Sequence, residues 1–264
     1  MCIRDSVNDV LPELSESAAS AGAAASDPVW WVMEWVPVVG DNLRGVRLAA
    51  QSLDALVNGV ALPVMGDEDS KGSITERLLD ATDDQAQHVT ELADGLESVS
   101  KSPFLVSVVR DGVDQVDEVM SAAAPMIAVL PTLLGGDGER NYLLVFQNNA
   151  ETLALGGSAA AQTLVKVDGG SIAIGAQGDS GNYQNGVAVD VDVPPSAIEL
   201  YTSYLVDHIN TSMSRPDFPT AAKIMRAWWQ RDIADDEITG VISIDPLAPV
   251  SYTHLRAHET KANL

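Results

Sequence analysis

The chain is predicted to be an α+β protein, with an N-terminal antiparallel helical bundle followed by an α/β domain built on a mixed sheet. Three observations predict it. Up to about residue 131 the apolar residues recur every three or four positions, the period of helices buried along one stripe. From Asn141 onward they gather instead into short β-branched and aromatic runs broken by turn residues. Between the two, Leu133-Leu134-Gly135-Gly136-Asp137-Gly138 is rich in chain-turning residues and marks the joint.

Both ends are set aside first. Met-Cys-Ile-Arg-Asp-Ser, residues 1–6, and the tail of residues 250–264 resemble translated sequencing adapter, and such scars do not enter a fold argument. The expected protein spans Val7 to Pro249 and is cut at both ends. It divides into a bundle, residues 7–131, and an α/β domain, residues 132–249, truncated at its C-terminus. Cys2 is the only cysteine and lies in a scar, so disulfides and thiolate metal sites are not expected. The formal charge is −23, which repels phosphate backbones, and no basic patch interleaves with aromatics; nucleic acid is not an expected partner.

In the bundle, residues 7–27 read as a helix end or a linker. Trp30, Trp31 and Trp35 lie in the apolar stretch Val29–Val39, too short to span a bilayer. They either cap the bundle or mark an interfacial belt beside a lost anchor. From Asp41 a seam of Leu43, Val46, Ala50, Leu53, Val57 and Val60 predicts a helix ended by Leu62-Pro63. Ser73-Ile74-Thr75-Glu76 is a capping box opening a second helix, with Ile74, Leu78, Ala81, Gln85, Val89, Leu92, Leu96 and Val99 inward. His88 falls on its solvated flank. Ser102-Pro103 breaks that helix. A third follows with Leu105, Val109, Val116, Met120, Ala123 and Ile127 inward, and Gly112 and Pro125 as weak points.

In the α/β domain, Tyr142–Phe146 suits a strand buried on both faces. A polar loop and a second strand near Ala160–Val167 follow. Asp168-Gly169 then signals a hairpin to Ser171–Ala176. Val187, Val189, Val191 and Val193 alternate with small or acidic residues, as in an edge strand. Ser196-Ala197-Ile198-Glu199 reads as a capping box for a helix through Ile209, with His208 near its end. Pro219 opens a helix burying Ile224 and Trp228, and Ile238–Ile244 is a last strand closed by Asp245-Pro246.

Strand ends of open α/β sheets are where ligands bind, so the polar cluster after Phe146 is the candidate site. Asn148, Asn149 and Glu151 either satisfy the strand-end backbone or form a ligand shell. Gly156 and Gly157 allow a tight turn or a close approach to a ligand. Asp217 either assists the following helix or joins the site, and Asp245 ends a strand. No phosphate-binding loop, nucleophile elbow or His-Glu-x-x-His motif occurs, and a nucleophile–base triad lacks its usual parts.

Residues 133–151, Leu-Leu-Gly-Gly-Asp-Gly-Glu-Arg-Asn-Tyr-Leu-Leu-Val-Phe-Gln-Asn-Asn-Ala-Glu, resemble the signature of the domain-of-unknown-function family numbered 4012, abundant in Actinobacteria. Pro216–Ala222 and Gly240–Pro246 are similar to its later motifs, and Asp27–Trp30 and Val36–Gly40 also fit. The resemblance implies a membrane-anchored protein with its globular part outside the cytoplasm and supplies no activity. The layout is also similar to LytR-CpsA-Psr proteins, which attach glycopolymers to cell walls with arginines and aspartates around a lipid pyrophosphate and a divalent metal; that likeness is analogy. Here Leu153 stands where the family loop commonly carries arginine. Arg140 and Lys166 are the nearest basic residues in sequence, and Arg215 could enter from its own loop.

The expected function is a membrane-tethered, extracytoplasmic envelope protein that binds or scaffolds and uses no cofactor. It would meet the membrane through a lost N-terminal anchor and would have an envelope glycopolymer or a lipid-linked precursor as partner. The alternative is a divergent glycopolymer phosphotransferase using Glu151, Asp217, Arg215 and magnesium. A third reading, an oligomeric coiled-coil adaptor, predicts an exposed apolar seam on the helices.

Overall fold

The fold comes from a computed structural model that describes residues 3–25, 39–65 and 72–246. The tryptophans of residues 30–35 and the tail of residues 250–264, expected to be adapter, lie outside the described residues. The chain is α+β: long helices precede a four-stranded mixed sheet. It divides into two compact units, Met1–Gly138 with Asp168–Ser171, and Glu139–Val167 with Ile172–Leu264.

Among the described residues the first unit contains four long helices: α1 (Ile3–Ala25), α2 (Val39–Asp54), α3 (Ile74–Ser100) and α4 (Ser107–Leu133). α3 carries the predicted capping box. The Glu76 N–H donates to Ser73 Oγ at 3.1 Å, and the Ser73 N–H donates to Glu76 Oε2 at 2.7 Å. From Ala81 onward its inward residues are largely those the period indicated, with Val89, Leu92, Leu96 and Val99 buried. His88 is exposed, as expected.

α2 departs from its predicted seam. Its buried face is Gly45, Leu48 and Ser52, continued by Ala55; of the predicted seam Val57 is buried, whereas Val46 and Leu53 are exposed. Size decides this. A Cβ on Gly45 would lie 3.0 Å from Val113 of α4, and one on Gly95 of α3 would lie 3.3 Å from Leu48. The helices therefore meet where side chains are smallest, not where they are most apolar. The rod also continues past its expected end, through a π-helical stretch (Ala55–Ala61) and an α-turn (Leu62–Met65). The widened turn falls just before Pro63, which has no N–H to donate.

α4 runs through Pro125 and Pro131, two residues beyond the expected boundary. A Schellman arrangement closes it: Gly135 takes φ +75°, the Gly136 N–H donates to Pro131 O at 2.8 Å, and the Gly135 N–H donates to Thr132 O at 3.3 Å. At the other end, Asn42 of α2 holds the loop into α4 by accepting from the Val106 N–H and donating to Phe104 O.

The second unit is a sheet of order β3-β2-β1-β4, made of β1 (Arg140–Asn148), β2 (Ser158–Asp168), β3 (Ser171–Asp179) and β4 (Gly240–Ile244). β1 is central, antiparallel to β2 and parallel to β4. On one face Leu143, Val145 and Leu164 join a core with Leu205, Ile209, Ile224, Trp228 and Trp229. On the other, Leu144 and Phe146 are half-buried and Ile242 is exposed, so β1 is not sealed on both sides.

Two further expectations are corrected. Val187–Val193 forms no strand; Val189 is buried and takes one backbone bond from its N–H to Val206 O, so alternation here anchors an extended segment without a ladder. The helix expected through Ile209 is α5 (Pro195–Tyr201), opened by Pro195 with no side-chain cap and stopped by Thr202 at φ +62°. A single helical turn, Tyr204–Asp207, follows, and the His208 ring nitrogen Nδ1 lies 2.6 Å from Asp207 Oδ1. α6 (Phe218–Asp232) then leads to β4.

Tyr183 joins the parts of this core. Its ring meets Trp228 edge-on at 5.8 Å and its hydroxyl donates to Gln162 Oε1 at 2.8 Å. Burial raises this phenol above the ordinary tyrosine range, and the carboxylates of Asp232 and Asp179 push it the same way. A raised acid stays neutral in the fold after the unfolded chain has ionised. Its stabilising share is thus complete below the ordinary tyrosine value of about 10 and is lost as pH climbs through the folded value.

Tyr183→Phe should cost about 1–3 kcal/mol at neutral pH, because it leaves the buried Gln162 carbonyl unpaired, yet it should make the alkaline fall in stability shallower; urea melts at several pH values check both. Ser73→Ala should cost about 1 kcal/mol through loss of the α3 cap, read by the same melts.

Candidate functional site

The site is built on the last residues of β1. The β1–β2 register skips Ala160 between the pairs Phe146–Ala161 and Gln147–Ala159. This bulge re-aims the strand end. Gln147 turns inward and is buried, while Asn148 and Asn149 are half-buried. The Gln147 Nε2 donates to Leu155 O and to Ser243 Oγ, each at 2.7 Å. One carboxamide thus ties β1 to the following loop and to β4.

The loop of residues 149–157 folds back on that strand end. Asn148 Oδ1 accepts from the Ala150 N–H at 3.2 Å, and the Glu151 N–H donates to Asn148 O at 3.1 Å. Asn148 therefore stabilises a turn, the first of the two roles open for it. Glu151 is exposed. Both glycines are sterically required. Gly156 sits at φ +110° with its would-be Cβ 2.6 Å from Gln147 Oε1, and a Cβ on Gly157 would lie 2.6 Å from Asn148 O. The closeness serves the protein's own backbone and carboxamide. Leu153, at the position where the resemblance expects arginine, packs against the core.

Asp245 follows Ile244, which pairs with Phe146, so it emerges beside Gln147 at the same end of the sheet. α6 returns the chain to the start of β4, and a helix in that role begins toward the C-terminal end of the parallel strands. Asp217 immediately precedes α6 and makes no side-chain bond to its backbone. Its Oδ2 accepts from Thr220 Oγ1 and lies 3.3 Å from Arg215 Nε. The structure thus pairs Arg215 with Asp217, and no ion pair joins either to Glu151 among the described residues. Arg140 and Lys166 belong to the opposite end of β1; Lys166 pairs with Asn141 in the ladder and lies 2.9 Å from Asp236.

Trp228 and Trp229 are both fully buried, so this helix buries Trp229 as well as the expected Ile224 and Trp228. Arg231 stacks 4.3 Å over the Trp228 ring while pairing with Asp232, whose carboxyl is held below its ordinary range by that guanidinium. A depression on the sheet unit, about 390 Å³, is lined by Phe146, Gln162, Thr163, Gln177, Asp179 and their neighbours, and by none of Glu151, Arg215 and Asp217. Among the described residues no group of three or more His, Cys, Asp or Glu could hold a metal ion. Ser243 was missed as a site residue. Only the parallel β1–β4 register brings it to Gln147, and no local pattern announces a pairing across 96 residues.

Residues 137–251 match the family model described as "Protein of unknown function (DUF4012)". The match spans all four strands and meets the expectation drawn from the motifs of residues 133–151 and 240–246. No curated protein and no solved structure matches the chain.

Gln147→Leu should remove both donated bonds and leave Leu155 O and Ser243 Oγ without them, costing about 1–3 kcal/mol. Hydrogen exchange should quicken in residues 149–157 and leave the helices of the first unit unchanged. Equal loosening of both units would show that Gln147 has no local role.

Proposed function

We propose that this protein is the globular part of a membrane-tethered, extracytoplasmic envelope protein that binds or scaffolds and performs no phosphoryl transfer. The observation favouring binding is the electrostatics at the end of β1. Phosphoryl transfer and pyrophosphate capture need cationic, bidentate donors. Here Arg215 is matched by Asp217, Leu153 packs against the core, and the Asn148 side chain supports a turn. Against a formal charge of −23, one neutralised guanidinium does not gather a lipid pyrophosphate.

Tethering is supported by the family resemblance and, weakly, by two helices, Val39–Met65 and Ser107–Leu133, that are long and apolar enough to cross a membrane. Core helices of soluble bundles meet the same criterion, so the proposed anchor is an N-terminal segment of about 20 apolar residues. The exposed partner of the loop at residues 149–157 would be an uncharged or cationic stretch of envelope glycopolymer, since the site offers hydrogen-bonding and acidic groups.

Two measurements check this. Fractionation of the full-length gene product with external protease should find it in the membrane pellet and cleavable from outside; a cytosolic, protected product overturns the tether. Titration with an isoprenoid pyrophosphate analogue should show no saturable binding with or without magnesium. Magnesium-dependent binding abolished by Arg215→Ala would install the phosphotransferase reading instead.

A further inference from the structure

α4 has two apolar faces, and only one is packed among the described residues of the unit. Val113, Met120, Ala124 and Ile127 lie in the core. On the opposite side Val108, Val119, Met126 and Val129 are 82%, 50%, 65% and 49% exposed. With Gly112, Gln115 and Ala122, also exposed, they fall at spacings of four and three without interruption. That is an a/d seam sustained over about three heptads, the length at which a coiled coil is indicated. It carries no charge although the chain is strongly acidic, and a Cβ at Gly112 would meet nothing within 4 Å.

We infer that this face of α4 pairs in parallel with α4 of a second copy of the chain. Gln115 selects the occupant. A carboxamide holds both a donor and an acceptor, so Gln115 is satisfied by Gln115 of the second copy when the helices run parallel and in register. In the antiparallel registers that keep the seam layered, it would face Val119 or Met126 and lose its hydrogen bonds on burial. A single polar residue in a seam is a known device for fixing register. The flanking acids agree with this choice: in the parallel pairing Asp111 opposes Val116 and Glu118 opposes Ala123, so no two carboxylates meet across the interface.

The test uses the whole chain with Cys2→Ser. Sedimentation equilibrium across the micromolar range should show a monomer–dimer equilibrium, and Val119→Glu with Met126→Glu should abolish the dimer while the circular dichroism of the monomer is retained. Gln115→Cys should give a disulfide-linked dimer on mild oxidation, a gain that does not depend on the tolerance of the glutamates. A monomer at every concentration overturns the inference, as does a dimer indifferent to the two glutamates. Failure of the Gln115→Cys variant to cross-link, or association seen only on anionic lipid vesicles, overturns it equally; the latter would make the seam a membrane contact.

Discussion

A buried carboxamide cannot be left unpaired without losing several hydrogen bonds to water, and Gln147 is where the sheet unit meets that constraint. Its two donated bonds bring the loop carbonyl of Leu155 and the hydroxyl of Ser243 to one point at the end of β1. Gly156, at φ +110°, leaves room for the same side chain, because a Cβ there would lie 2.6 Å from Gln147 Oε1. The β1–β2 bulge, the folded loop and the placement of β4 all converge on this residue. The corner is therefore held by its own hydrogen bonds, with those of Gln147 turned inward.

That inward turn shapes the functional reading. A catalytic corner on a parallel strand end would aim donors and cations outward to meet developing charge. Here the outward groups are Glu151 and the edges of the half-buried asparagines, while the guanidinium of Arg215 is paired locally. These outward acidic and hydrogen-bonding groups, with the guanidinium paired locally, are what the proposed binding role rests on.

The helical unit obeys a different rule. Its helices approach through Gly45 and Gly95, so contact follows small side chains, and larger apolar ones such as Val46 and Leu53 are left outside. α4 shows the consequence most clearly: an uncharged stripe remains uncovered on a helix whose other side is fully packed. An apolar stripe of this kind on a highly charged protein is what the proposed dimer contact would cover. The exposed seam expected under the coiled-coil reading is present on one face of α4, opposite the face that joins the core.

The sequence by itself determined the α+β class, the capping box of α3, the strand–loop–strand–hairpin run from Arg140 to Asp179, and the family likeness of residues 137–251, because each is written in local periodicity, turn chemistry or contiguous motif. It placed the candidate site at the end of β1 but could not say that Gln147 would turn inward. Tertiary structure decided the α2 register, where two apolar columns compete and helix approach distance chooses between them. It also decided the burial of both Trp228 and Trp229 and the break at Thr202. The partnership of Gln147 with Ser243 was beyond reach for the same reason: a parallel pairing between distant strands is fixed by the packing of a whole core, and no window of sequence contains it.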